Sequence, residues 1–279
     1  MLILLSSNRL GIIKKVFNMD FLREINVLYR ITDWLPFLGF ALIGFFLKVS
    51  RLEITNLDPL LLVLFFSSLL LSYTYSLNDY FDENKKQKYF LLPLISSLIL
   101  LPFLNFNQIL LAVIFLFLFT LYSLRGVSLS KIPIVGTLTN TVGFMSIFMI
   151  GYMAKEKVTL LGIIFFLLLS VYQTVSQLIH EKVHLKSDIE SGRRTSVFYL
   201  RGKLVLLLKA MLLFTFPLSL FLLLKTRFNL FAIACILFSL IFFIKVSQID
   251  KNLRKSYKLA SIVVGLFFLL DYFLIYLEL

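Results

Sequence analysis

Acids, amides and histidines are scarce in this sequence, and those with the types and spacing for chemistry fall mainly in two stretches. The first, Tyr75-Ser76-Leu77-Asn78-Asp79-Tyr80-Phe81-Asp82-Glu83-Asn84, closes an apolar run. On a helix Asn78 and Asp82 stand four apart and Asp79 and Asp82 three apart, so all three share a face. Two carboxylates and an amide make a hard-oxygen site, the kind that suits Mg2+ held jointly by protein and phosphate. A solvated helix end, its acids offsetting Lys85, Lys86 and Lys88, accounts for the same residues about equally well.

The second stretch holds Gln173, Gln177, Glu181, His184 and Asp188, whose spacing puts five polar side chains on one stripe of a helix. Polar groups at membrane depth are costly and tend to face a cavity or the bundle interior. Gly192, Arg193, Arg194 and Thr195 follow, reading as a helix end with cations beyond it. A water-exposed helix explains Lys182, Lys186 and Glu190 well but Gln173 and Gln177 poorly. A third group, Tyr122-Ser123-Leu124-Arg125 and then Lys131-Ile132-Pro133, offers cations that could steady an anion. On their own these residues read better as headgroup anchors.

A competing pattern overlaps the second stretch. His180-Glu181-Lys182-Val183-His184 spells H-E-x-x-H, the helical zinc signature in which the glutamate is a general base. These are the chain's two histidines, so a catalytic zinc would need a carboxylate as its third protein ligand. That reading leaves Asn78, Asp79, Asp82, Gly192 and Thr195 without a purpose, and the spacing predicts that His180 lies off the Gln177–Glu181–Asp188 stripe.

The elements that must position these residues are apolar. Of 279 residues 59% are hydrophobic and 15% charged, with a mean hydropathy of +0.94. Soluble domains are about half apolar and about a quarter charged, so a soluble fold is excluded. Apolar segments fall near 33–48, 58–77, 90–104, 107–123, 133–153, 158–179, 204–224, 228–246 and 257–277. A membrane helix needs about 20 such residues, so the sequence predicts an all-α bundle of about nine transmembrane helices in a single domain over 1–279. Residues 1–30 read as a cytoplasmic or interfacial arm. A β-barrel would show alternating strands of about ten residues instead.

The net charge of +13 invites a nucleic-acid reading, but its distribution argues for a membrane. Most of the 28 Lys and Arg residues lie in the N-terminal arm and the connectors after segments two, four, six and eight. The other side holds Lys48, Arg51, Lys155, Lys157, Lys225 and Arg227. That alternation places the N-terminus and the polar connectors in the cytoplasm. Cys235 stands alone, so no intramolecular disulfide forms. Asp271, an acid within the last apolar segment, is either functional or reaches the outer interface, and Lys209 is expected to snorkel.

The polar stretches, in this order and on these segments, resemble the UbiA family of intramembrane aromatic prenyltransferases. Its first motif, N-D-x-x-D-x-x-x-D, is matched by Asn78, Asp79 and Asp82, with Lys86 where the last acid stands. Its second, D-x-x-x-D-x-x-x-G-x-x-T, is matched by Asp188, Gly192 and Thr195, with His184 in place of the first acid and Glu181 three residues upstream. The segment YSLRGVSLSKIPIVG is similar to the family's tyrosine–serine connector.

The resemblance implies a membrane-embedded, Mg2+-dependent transfer of a polyprenyl group from its diphosphate to an aromatic or other lipid-soluble acceptor. Its partners would be the polyprenyl diphosphate, the hydrophobic acceptor and membrane lipid, with no nucleic acid. It implies metal ligands at Asn78, Asp79, Asp82, Glu181, His184 and Asp188, with Asp79, Asp82 and Asp188 catalytic. Diphosphate contacts would be Asn78, Tyr122, Arg125 and Lys131. Losing acids at Lys86 and His184 weakens a hard-metal site, so an inactive isoprenoid-binding relative is the alternative, and an H-E-x-x-H metalloprotease the next.

Overall fold

The computed structural model describes residues 19–49, 53–82, 88–155, 158–190 and 192–276, and every regular element among them is helical. Helices begin and end where the local chemistry dictates. After α1 (Met19–Tyr29) the chain breaks at Arg30 and resumes as α2 (Ile31–Phe46), bent by 61° from the turn before it. α3 (Leu57–Asp82) opens with Asp58 in its first turn, where a carboxylate suits the positive end of the helix dipole. α4 (Leu91–Phe103) ends in a 3-10 turn at Pro102. α5 (Phe106–Ser123) starts on a capping box: Asn105 Oδ1 accepts from the Gln108 amide at 3.0 Å, and Gln108 Oε1 from the Asn105 amide at 3.2 Å. The same two side chains then donate to the carbonyls of Met153 and Ile150, tying this turn to the end of α6 (Val135–Tyr152).

The long α7 (Leu160–Glu190) ends as a Schellman motif. Gly192 takes φ 76°, its amide donates to Ile189 O, and the Arg193 amide donates to Asp188 O at 2.7 Å. The helix end expected at Gly192 is therefore found, and glycine stands there because side chains resist that conformation. Short α8 (Ser196–Leu200) leads into α9 (Leu204–Lys225), α10 (Asn229–Lys245) and α11 (Lys251–Tyr276).

Six helices are long and apolar enough to cross a membrane, and the bent α1–α2 pair would make a seventh. α4 and α10 are shorter apolar helices in the places of the third and eighth apolar segments. Length and composition thus give six or seven spans, and the count of nine is not reached on those grounds. Of the arm expected over 1–30, residues 1–18 lie outside the described residues, while α1 begins at Met19. Outward faces stay apolar, with Leu206 71% and Ile244 73% exposed, as lipid contact requires.

The helices pack in a ring in which α2 meets α3 and α6, α5 joins α3 to α6, α7 joins α6 to α9 and α11, and α11 returns to α2. Backbones come closest where α2 crosses α6. A Cβ on Gly44 would strike the Phe148 carbonyl, and one on Gly151 the Ala41 carbonyl, so only hydrogen fits at either place. Phe37 stacks on Phe144 at 3.9 Å beside this crossing. On the far side, Phe165 stacks on Phe231 at 5.0 Å and meets Phe268 edge-on, locking α7, α10 and α11.

Candidate functional site

The ring encloses a cavity of about 730 Å3. Polar side chains reach it from the α1–α2 break (Arg30, Asp33), the C-terminal ends of α3 (Asn78) and α5 (Tyr122, Ser123), and the first turns of α11 (Arg254, Lys258). Arg193, just past α7, lines it as well. Phe144, Leu169, Phe231 and Leu269 line its apolar part.

Arg30 is the most constrained residue here. Its backbone sits in the left-handed region (φ 52°, ψ 43°), which costs a residue with a Cβ about 1–2 kcal/mol. Two carboxylates and a ring hold it there. Its guanidinium pairs with Asp33 at 2.8 Å and Asp79 at 3.1 Å, and lies over the Tyr75 ring at 5.2 Å. Arg254 approaches from α11 and its Nη1 donates to His184 Nε2 at 2.9 Å, so that nitrogen carries no proton and His184 is an acceptor. Arg30 and Arg254 line the same cavity as Tyr75 and His180. Deeper in, Gln173 Nε2 donates to Asn140 Oδ1 at 3.1 Å, and both side chains line the cavity.

The residues expected from sequence divide into two sets. Asn78 and Tyr122 line the cavity together with Ser123, whose Oγ stands 3.5 Å from Asn78 Oδ1. Asp79 lies behind them, 5% exposed and paired to Arg30. Arg125, Lys131 and Asp188 are directed elsewhere. Arg125 donates through Nε and Nη2 to the Phe81 carbonyl at 3.1 and 3.0 Å, closing the C-terminus of α3. Lys131 is exposed on the 3-10 turn Leu129–Lys131 and is not part of the cavity wall. Asp188 is half-buried in the last turn of α7, again off the cavity. Asp82 closes α3, and its side chain lies outside the described residues, as do Glu83 and Lys86.

Glu181 is a frame residue. At 5% exposure it accepts from Thr137 Oγ1 at 2.6 Å, Gln177 Nε2 at 3.3 Å and the Val197 amide at 3.3 Å, joining α7 to α6 and to the first turn of α8. The stripe expected on α7 is therefore rotated. Gln173, Ser176, Gln177 and His180 face the cavity while Glu181 turns to α6 and α8, so His180 is on the cavity face rather than off it. The zinc pattern fails for the same reason, since its glutamate is engaged and His184 already accepts from Arg254.

Arg30, Arg254 and Asn140, the partner of Gln173, are the site residues that sequence reasoning passed over. Arg30 fell within the expected arm and Arg254 among ordinary connector cations, and neither carries a local signal that separates it from them. Asp271 is settled differently from either expectation. At 3% exposure its carboxylate accepts from the Leu230 and Phe231 amides at 3.2 and 2.6 Å, capping the start of α10 from a neighbouring helix.

A divalent metal requires several donors aimed at one point. Among the described residues no three His, Cys, Asp or Glu side chains converge. Asp79 is paired with Arg30, Glu181 is hydrogen-bonded into the frame and His184 accepts from Arg254. The described residues do not fit a Mg2+ centre.

No family model matches the chain, and no curated protein matches its sequence. Solved structures match it in shape. A digeranylgeranylglyceryl phosphate synthase is 18% identical, with a TM-score of 0.69 over 92% of this chain and 99% of that one. A UbiA homologue from Archaeoglobus fulgidus bound to Cd2+ is 13% identical, with a TM-score of 0.70 over 89% and 98%. The structure of a UbiA homologue from the same organism bound to GPP and Mg2+ is 12% identical, with a TM-score of 0.69 over 89% and 99%.

Proposed function

We propose that this chain, which has the UbiA fold, is a membrane-embedded prenyltransferase that moves a polyprenyl group from its diphosphate to an aromatic or other lipid-soluble acceptor. One observation carries the reading: a single cavity joins a cationic, hydrogen-bonding region to an apolar one walled by phenylalanine. That is the polarity profile of a prenyl diphosphate.

In this reading the diphosphate lies among Arg30, Arg254, Lys258, Asn78 and Tyr122. The allylic C–O bond breaks, its electron pair leaves with the diphosphate, and fixed cations stabilise the charge that develops on the leaving oxygen. The allylic cation is shielded by the ring faces of Tyr75, Phe119 and Tyr122, which attract positive charge. A new bond then forms to the acceptor, which gives up a proton. The Asn140–Gln173 pair, held amide to amide within the cavity, suits a polar substituent of the acceptor. Asp79 is a positioning residue that holds Arg30, while Arg125, Lys131, Glu181 and Asp188 serve the frame or its edge.

The tail has a way out. Gly39 on α2 and Gly265 on α11 both line the cavity, and a Cβ at either would meet nothing within 4 Å. Leu35 and Leu266 also line it and are largely exposed, which supports a slot open to lipid between α2 and α11. The excess of Lys and Arg on alternate connectors supports a cytoplasmic site.

A second reading, an isoprenoid-diphosphate-binding protein without turnover, is favoured by the engagement of Asp79, Glu181 and His184 with protein partners. Incubation with labelled prenyl diphosphates and mixed lipid acceptors separates the two. Labelled lipid product supports the enzyme; donor retained without product supports the binder. A protein that neither retains nor transfers the label refutes both.

A further inference from the structure

We infer that the diphosphate of the donor is held directly by guanidinium groups, with no divalent cation bridging it to carboxylates; this rests on the prenyl-diphosphate reading above. The charge balance of the cavity points this way. Among the described residues its lining holds four cations, Arg30, Arg193, Arg254 and Lys258, and one carboxylate, Asp33. A metal-bridged site needs the opposite balance, because the ion supplies the positive charge and the protein the negative. The sequence departs from the acidic motifs in the same direction, with Lys86 and His184 standing where two acids are expected.

Geometry assigns Asp33, Asp79 and His184 to orienting cations. Asp33 and Asp79 fix Arg30 in a strained backbone conformation, which persists only where surrounding contacts over-determine it. His184, an acceptor through Nε2, fixes Arg254. The two guanidiniums approach from opposite ends of the chain, at the α1–α2 break and the first turns of α11, and line one cavity with Tyr75 and His180. A planar fork of N–H donors matches phosphate oxygens in pairs and carries a permanent charge, so two forks with Lys258 and Arg193 nearby supply the neutralisation a metal would otherwise provide.

The test is calorimetric binding of geranyl diphosphate to the purified full chain in detergent micelles, in millimolar Mg2+ and again in EDTA. The expected dissociation constants agree within about threefold, well under one tenfold step in affinity. Arg254→Gln weakens binding about tenfold or more in both buffers, as loss of a charge-assisted contact should. Melting of that variant alongside the native chain separates lost contact from lost fold, and the comparison of buffers needs no variant at all. Binding that vanishes in EDTA and returns with Mg2+ overturns this inference and leaves the prenyl-donor reading standing. Failure to bind geranyl diphosphate in either buffer overturns the donor reading, and this inference with it.

Discussion

Replacing Glu181 tests most sharply whether the second polar stretch builds the frame or reaches the ligand. In Glu181→Ala three donors lose their acceptor: Thr137 Oγ1, Gln177 Nε2 and the Val197 amide. The costs differ. Thr137 also contacts Ser196 Oγ and re-pairs there, and Gln177 reaches the cavity. The Val197 amide has no such recourse, because Val197 is fully buried. One buried donor orphaned at about 1–3 kcal/mol, with a weakened Thr137 contact at about 1 kcal/mol, predicts a loss of about 2–4 kcal/mol. Glu181→Gln keeps an acceptor oxygen for one or two of these donors and should lose about half as much. Unfolding by SDS titration in mixed micelles reads the stability, and geranyl diphosphate binding at a temperature where both variants are folded reads the site. Variants that unfold like the native chain but no longer bind the diphosphate would refute the frame assignment and return Glu181 to the ligand set.

Other parts of the architecture are open to the same treatment. Gly151→Val puts a branched side chain against the Ala41 backbone, which cannot yield as a side-chain tip would. It should cost about 1–3 kcal/mol or more, seen as earlier unfolding and poor recovery from membranes. Asp271→Ala removes the cap on α10 and should cost about 1–2 kcal/mol in the same titration while leaving diphosphate binding unchanged. Gly265→Leu meets open space, so the fold should survive; transfer from long prenyl donors should slow relative to short ones. An unchanged chain-length profile in that variant would remove the slot from the reading.

The helices were legible because apolar runs report length directly. Segments expected at 58–77 and 107–123 appear as Leu57–Asp82 and Phe106–Ser123, and the helix end at Gly192 follows from glycine's tolerance of positive φ. That Asn78 and Tyr122 share one cavity was implied by the family resemblance, not by either stretch read alone. The rotation of α7 was not legible. Glu181 and His180 sit only about 100° apart on the helix, and which of them turns inward is decided by Thr137 and Val197, residues 44 and 16 positions away. Arg30 and Arg254 stayed hidden for a related reason. A connector cation that anchors a headgroup and one that enters a cavity have the same local sequence, and the return of α11 to α2 makes the difference. Asp271 looked like an intramembrane functional acid, yet its partners are main-chain amides, which no side-chain pattern can reveal.

The gap at Gly39 and Gly265 has a kinetic meaning for a protein working as proposed. Reactants that slide in sideways are sampled from a two-dimensional solution, so turnover should follow their mole fraction in the bilayer rather than their amount per volume of buffer. Adding inert lipid at constant total substrate should then slow the reaction by dilution alone, and products should be released into the leaflet that supplied the donor.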